Sequence, residues 1–281
     1  MLLGLVGSEM CIRDSFRPRG VMRAKYLLFF LCFSTSLFSD YKFETVLSGL
    51  DDAWSLEFLS EDEIIYTEMP GKLKIANLID GSITQIKNVP KVQYSSQGGL
   101  SEVVLDPDFA LNNMIYLSYS ARNSDGKSTL YLMSAVLNKD SLENKKVIFE
   151  AKAPRRVPVH LGAKIAFLDD GTILLASGDG FDHREKAQTL DNHFGKIIRI
   201  NKDGTVPSDN PFVNVEDALP DIYSYGHRNQ QGLIVTKTGE IYEHEHGPRG
   251  GDEMNLIEPS LNYGWPAITY GIDYSGAVTV S

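Results

Sequence analysis

The stretch Ile165-Ala-Phe-Leu-Asp-Asp-Gly-Thr-Ile-Leu-Leu-Ala-Ser177 decides the fold. Two short apolar runs flank an Asp-Asp-Gly-Thr turn, and each run is too short for an amphipathic helix, so the unit reads as an antiparallel strand pair. The phrase recurs on both sides. It is Leu56-Glu-Phe-Leu59 with Glu63-Ile-Ile-Tyr-Thr-Glu68, then Val103-Val-Leu-Asp-Pro107 with Met114-Ile-Tyr-Leu-Ser-Tyr119, and later Leu233-Ile-Val235 with Gly239-Glu-Ile-Tyr-Glu-His244. Anchored on Phe58, Val104, Phe167 and Ile234, the copies start 46, 63 and 67 residues apart. Those spacings suit one propeller blade plus inserted loops. The predicted class is all-β, with four blade starts in view. A β-sandwich is the alternative, but it would give evenly short strands without the repeating phrase.

Hydrophobic residues make up 42% of the 281 residues and charged residues 23%, which is ordinary for a globular chain with a real core. The beginning reads differently. Met22-Arg-Ala-Lys25 is a basic opening, Tyr26 to Phe33 is apolar, and Ser34-Thr-Ser36 or Leu37-Phe-Ser39 offers a cleavage point, so residues 22–39 read as a secretory signal peptide. The apolar run falls short of the roughly 20 residues that span a bilayer. Residues 1–21 fit neither a signal nor a fold; Val6 to Ser15 resembles a translated sequencing-adapter remnant, and Met22 is the expected start. Both cysteines, Cys11 and Cys32, lie in this leading part, so residues 40–281, read as one domain, can use neither a disulfide nor a thiolate nucleophile. Residues 1–39 carry five Lys/Arg and two Asp/Glu, so without them the formal charge falls from −10 to −13. Such acidity disfavours nucleic acid and anionic membranes as partners and suits cations or neutral substrates. Export without disulfides fits a bacterial periplasm or secretion.

The densest polar chemistry lies between Tyr225 and Pro266, where His227, Arg228, Asn229, His246, Arg249, Asp252 and Glu253 sit among glycines. Glycine lets a backbone approach a ligand closely, so carbonyls here can themselves be ligands. Gly247-Pro-Arg-Gly-Gly-Asp-Glu253 is rich in oxygen and suits calcium, without an EF-hand pattern. Glu243-His-Glu-His246 alternates, placing His244 and His246 on one strand face, which raises zinc; no third ligand is evident from spacing. Arg228 and Asn229 could hold or polarise carbonyl and carboxylate oxygens, or form a surface ion pair. His160, in Val157-Pro-Val-His-Leu-Gly-Ala-Lys164, is a candidate general base because its ordinary pKa lies near neutrality. His193 reads as structural, and Gln97-Gly-Gly99 alone is an ordinary turn.

Together, Gln97-Gly-Gly-Leu100, Asp106-Pro-Asp-Phe109, His160-Leu-Gly-Ala-Lys164, Gly178-Asp179, Gly195-Lys-Ile-Ile-Arg-Ile200, Tyr225-Gly-His-Arg-Asn-Gln-Gln-Gly232, Glu245-His-Gly-Pro-Arg-Gly-Gly-Asp-Glu253 and Asn262-Tyr-Gly-Trp-Pro266 resemble the pyrroloquinoline-quinone (PQQ)-dependent soluble aldose sugar dehydrogenases of the glucose/sorbosone dehydrogenase family, over about Leu50 to Gly276. The resemblance implies a six-bladed β-propeller with the quinone over the channel mouth. It implies that His160 takes the proton from the C1 hydroxyl of an aldose while a hydride passes from C1 to PQQ, giving the lactone. By the same resemblance, Gln97, Arg228, Asn229 and Tyr274 contact the quinone, the carbonyls of Gly247 and Pro248 hold the calcium that binds it, and Glu253 with Tyr263 ligate a further calcium. Two departures stand out. Gln230 replaces the proline usual after Arg-Asn, and the blades and quinone-clamping basic residues that end the family's propeller have no counterpart before Ser281. The expectation is therefore an incomplete propeller of about four blades, from a C-terminally truncated chain. The competing readings are a calcium-dependent propeller lactonase and a non-enzymatic binding propeller. The sugar and the electron acceptor cannot be named from the sequence.

Overall fold

The computed structural model describes residues 43–276. The leader, the signal segment and both cysteines lie outside them. Backbone contacts divide the chain into residues 1–44 and 45–281, and all the strands belong to the second unit.

Four antiparallel meanders follow one another. The first sheet is β1 (Ala53–Phe58), β2 (Glu63–Glu68), β3 (Lys72–Asn77) and β4 (Ile83–Gln85). The second is β5 (Leu100–Leu105), β6 (Met114–Arg122), β7 (Ser128–Asn138) and β8 (Ser141–Glu150). The third is β9 (Gly162–Phe167), β10 (Ile173–Ser177), β11 (Lys196–Ile200) and β12 (Ile222–Tyr225), and the fourth is β13 (Gln230–Val235), β14 (Ile241–Glu245) and β15 (Glu253–Ile257). Each recurring phrase of the sequence supplies the first two strands of one sheet. The first strands also touch one another, β1 to β5, β5 to β9 and β9 to β13, so they line the inner rim of a four-blade arc. A register shift interrupts the first strand pair of every blade, at Ala53/Leu56, Leu100/Val103, Leu175/Ser177 and Gln230/Gly232. A bulge bends and twists a strand locally, and its recurrence shows that the blades share geometry as well as order.

The core is three interfaces between blades, with a smaller cluster of Ile64, Tyr66 and Ala76 packed against Leu47 and Leu78 on the other face of blade one. Side chains alternate along a strand, so one strand can feed two interfaces. In β6, Ile115 and Leu117 pack toward blade one with Ile65, Leu73 and Leu100, while Tyr116 packs toward blade three with Ile165, Ile173 and Leu175. In β10, Ile173 and Leu175 join that second interface, whereas Leu174 and Ala176 pack with Leu233, Ile241 and Ile257 of blade four. Three connections then gather at one end of the arc. The segment ahead of β9, the turn after β10 and the segment between β12 and β13 carry His160, Asp179 and Arg228 respectively.

Candidate active site

His160 and Asp179 meet because β9 and β10 are antiparallel: the residue entering one strand lies beside the residue leaving the other. The imidazole Nδ1 is 2.7 Å from Asp179 Oδ1. Both side chains are buried, at 9% and 1% exposure, so the pair is shielded from screening by water. An ionised carboxylate only accepts, so Nδ1–H donates to Asp179 and the Nε2 lone pair is left for a reacting proton. Asp179 is itself fixed. Phe181 N donates to Oδ1 at 2.8 Å, Trp265 Nε1 donates to Oδ2 at 2.7 Å, and the Asp179 backbone N donates to Arg228 O at 2.7 Å. His160 adopts φ +44° and Phe181 φ +65°, a left-handed conformation that costs a non-glycine residue energy and clusters at functional sites. Only glycine fits at position 178, because a Cβ there would lie 2.3 Å from the carbonyl oxygen of His160.

A cleft of about 310 Å³ opens over this pair, with His160, Asp179 and Phe181 on one wall and Arg228, Trp265 and Tyr274 on the other. Arg228 is buried. Its guanidinium carbon lies 5.2 Å from the centre of the Trp265 ring and 5.8 Å from that of Tyr274, and its Nη1 donates to the carbonyls of His246 at 2.8 Å and Gly247 at 2.6 Å. Arg228 Nε is buried without a partner. Pro248, Arg184 and Asp273 complete the rim, and Arg184 is ion-paired to Asp273 at 2.5 Å. Arg228 backbone N donates to Glu245 Oε2 at 2.7 Å. Burial, and next the charge of Glu243, hold the carboxyl of Glu245 well above the usual range.

The residues singled out from the sequence divide into three places. His160, Arg228, Tyr274 and Pro248 line the cleft. Gln97 and Asn229 line a neighbouring cavity of about 390 Å³ with Trp54 and His246, and Gln97 Oε1 reaches across to accept the His160 backbone N–H at 2.8 Å. Glu253 and Tyr263 line neither cavity and are half-buried at blade four: the Tyr263 hydroxyl donates to Leu256 O at 2.7 Å, and its ring stacks on His227 at 4.7 Å. Gly247 O already accepts from Arg228, and Gly247 N donates to Asp252 Oδ1 at 2.9 Å. His193, read as structural, has Nδ1 accepting from Lys152 N and Nε2 2.9 Å from Asp221 Oδ1. The zinc pattern read from His244 and His246 does not converge. His244 faces outward, and His246 lies 3.9 Å from Asp252 Oδ2 at the surface. Gln230, where the resembling family has proline, is buried and donates to Lys196 O at 3.3 Å, tying blade four to blade three. Sequence reasoning did not assign a role to Asp179 or Trp265, although both lie in the resembling stretches Gly178-Asp179 and Asn262-Tyr-Gly-Trp265; only the folded chain brings Asp179 to His160 and Trp265 to Asp179.

The sequence pattern of the Glucose / Sorbosone dehydrogenase family matches residues 50–281. The aldose sugar dehydrogenase YliI of Escherichia coli is 35% identical over 258 residues, covering 89% of this chain and 69% of that protein. The chain belongs to the glucose/sorbosone dehydrogenase family. A crystal structure of a glucose dehydrogenase superposes with a TM-score of 0.81 at 42% identity, covering 84% of this chain and 69% of the other. The PQQ-bound aldose sugar dehydrogenase from Streptomyces coelicolor does so at 0.67 and 27%, covering 83% and 68%. This chain spans 54–69% of the length of the curated relatives it matches.

Proposed function

We propose that the protein is a periplasmic quinoprotein dehydrogenase that oxidises the C1 hydroxyl of an aldose sugar to the lactone. The observation that carries this reading is the His160–Asp179 pair facing Arg228 across one cleft. The cleft suits PQQ, a flat acidic quinone. Arg228 carries an unpartnered Nε, and its guanidinium lies against the Trp265 and Tyr274 rings, a charged and aromatic wall for a planar anion. Arg228 and Tyr274 would hold it there, and Gln97 and Asn229 belong to the reading through the adjoining cavity. When bound, the quinone supplies the two-electron acceptor.

The chain's own part is proton handling and orientation. His160 Nε2 takes the proton of the C1 hydroxyl, and Asp179 holds the ring in that tautomer and stabilises the imidazolium that results. Gln97, by accepting the His160 backbone N–H, keeps a strained residue aimed into the cleft. Arg228 places fixed positive charge where a bound acceptor would gain negative charge. We further propose calcium at the Gly247 and Pro248 carbonyls, where Gly247 O has a second lone pair beside its bond from Arg228, and at Glu253 with Tyr263. Among the described residues no helix is long and apolar enough to cross a membrane. The exported location rests on the signal-like sequence of residues 22–39. A propeller lactonase remains the rival reading, and a histidine oriented by a buried aspartate beside an arginine-aromatic wall favours the dehydrogenase.

The test is dye reduction by the full-length protein, supplied with PQQ and calcium and offered aldoses, run beside lactone hydrolysis. Aldose-dependent reduction is expected, with recovery after chelation only on adding calcium. His160→Gln should keep quinone binding and lose about 10²-fold or more in turnover, and Asp179→Asn should lose a comparable factor. Lactone hydrolysis without quinone, or full activity in His160→Gln, would sink the assignment.

A further inference from the structure

We propose that blade four holds a buried divalent cation of the zinc class between His227 Nδ1, Glu243 and Glu245, on the inner side of the strand end that carries Arg228. The candidate ligand atoms of these residues all lie within 4.8 Å of one another. They come together because β14 alternates: Ile241, Glu243 and Glu245 share the face turned toward blade three, while Tyr242 and His244 share the other. That face should be apolar at an interface between blades. Here it carries two carboxylates at 2% and 4% exposure beside a histidine at 0%.

Two buried carboxylates are costly unless a cation offsets them. Among the described residues no lysine or arginine side chain pairs with either one. The Arg228 guanidinium is directed to the carbonyls of His246 and Gly247 instead. His227 Nδ1 lies 3.5 Å from Glu243 Oε1 and 3.8 Å from Glu245 Oε2, a wider gap than a well-formed hydrogen bond shows. His227 Nδ1 and Glu243 Oε2 are fully buried and make no hydrogen bond.

The surrounding groups orient each ligand from behind, as outer partners do around metal sites. Ser224 Oγ is 2.8 Å from His227 Nε2, so with Nε2–H donating, the Nδ1 lone pair faces the carboxylates. Two lone-pair carriers facing each other repel unless a proton or a metal ion stands between them, and the 3.5 and 3.8 Å gaps are wide for a shared proton. Asn255 Nδ2 donates to Glu243 Oε1 at 2.9 Å, and Arg228 N donates to Glu245 Oε2 at 2.7 Å. The chemical class follows from the donors. One imidazole nitrogen and two carboxylates match a tetrahedral zinc-like ion, whereas calcium takes six to eight oxygens. A doubly charged ion also neutralises the two carboxylates. This site shares no residue with the calcium positions proposed above. Bound there, the ion braces the Arg228 backbone from blade four and so fixes one wall of the cleft.

The experiment uses the full-length protein stripped with a strong chelator, then titrated with zinc, manganese or calcium chloride, reading bound metal by elemental analysis and unfolding by calorimetry. About one tightly held zinc per chain is expected, with a Tm several degrees higher than in the stripped protein. Glu243→Gln preserves shape and should weaken zinc binding by about 100-fold or more and abolish the Tm rise, while His244→Ala and His246→Ala leave both unchanged. X-ray absorption on the wild-type zinc form should show a mixed nitrogen and oxygen shell, a reading independent of whether the Glu243 variant folds. No retained zinc and no Tm response, undiminished zinc in Glu243→Gln, or loss of zinc in the His244 or His246 variants would overturn the proposal. So would retention of calcium at this site in preference to zinc.

Discussion

Blade three and blade one are built from the same repeating phrase, yet they meet opposite surroundings. In β10 of blade three, every residue of Ile173–Ser177 is buried, because Ile173 and Leu175 face blade two while Leu174 and Ala176 face blade four. In β1 of blade one, Leu56 and Phe58 share a face and are 54% and 61% exposed, while their partners Tyr66 and Ile64 in β2 are buried against Leu47 and Leu78. Blade four matches blade one: Ile234, Met254 and Leu256 lie on its outward face. A propeller blade is thus a sheet with two apolar faces, and its burial is decided by its neighbours. The contrast makes the same kind of substitution differ in cost from blade to blade.

Leu175→Ala should give the largest effect. It removes a fully buried side chain from the interface of blades two and three, where neighbours on both sides limit collapse, and should cost about 2–5 kcal/mol in denaturant unfolding with an unchanged slope. A loss under about 1 kcal/mol would mean that this interface is loosely packed and that the contrast between blades is overstated.

The sequence made the blades legible and the site only partly so. A strand, a glycine turn and a second strand are local signals, so the four phrases and their spacing located every sheet. The spacing could not reveal which strand forms the rim, since that depends on contacts between blades. His160 and Arg228 carried recognisable chemistry in recognisable stretches. Asp179 did not, because an aspartate after a strand reads as a turn residue until β9 and β10 bring it to 2.7 Å from the imidazole. Glu243 and Glu245 misled in the other direction. Alternation drew attention to the histidines between them, while the register of β14 turned the histidines outward and the carboxylates in.

A smaller effect is expected from pH, again in blade three. Lys196 in β11 is fully buried, with Nζ donating to the carbonyls of Lys186, Ala187 and Phe194 at 3.0, 3.1 and 2.5 Å. Burial pulls its pKa down to about 7. Below that pH both folded and unfolded chains carry the proton, and the cost of burying the charge is felt in full. Between about 7 and the unfolded value of about 10.4, the folded chain releases the proton first, so stability rises with pH. Melting wild type beside Lys196→Met at pH 7 and pH 9.5 should show wild type gaining on the variant at the higher pH. Equal gaps at both values would mean that the three carbonyls keep Lys196 charged throughout.

The smallest effect belongs to blade one. Leu56→Ser sits on the exposed face of β1, where the side chain is already half in water, so it should change unfolding free energy by no more than about 0.5 kcal/mol. The same residue should matter for association, because Leu56 and Phe58 present apolar surface on one face of an edge strand. Light scattering of the chain on its own should rise with concentration, and should rise less in a variant with serine at Leu56 and Phe58. If Leu56→Ser destabilised the fold as much as Leu175→Ala, the face would be packed in solution, and the difference between the two blades would disappear. If scattering were flat and unaffected by either change, exposure in blade one would carry no cost, and the comparison would hold for packing alone.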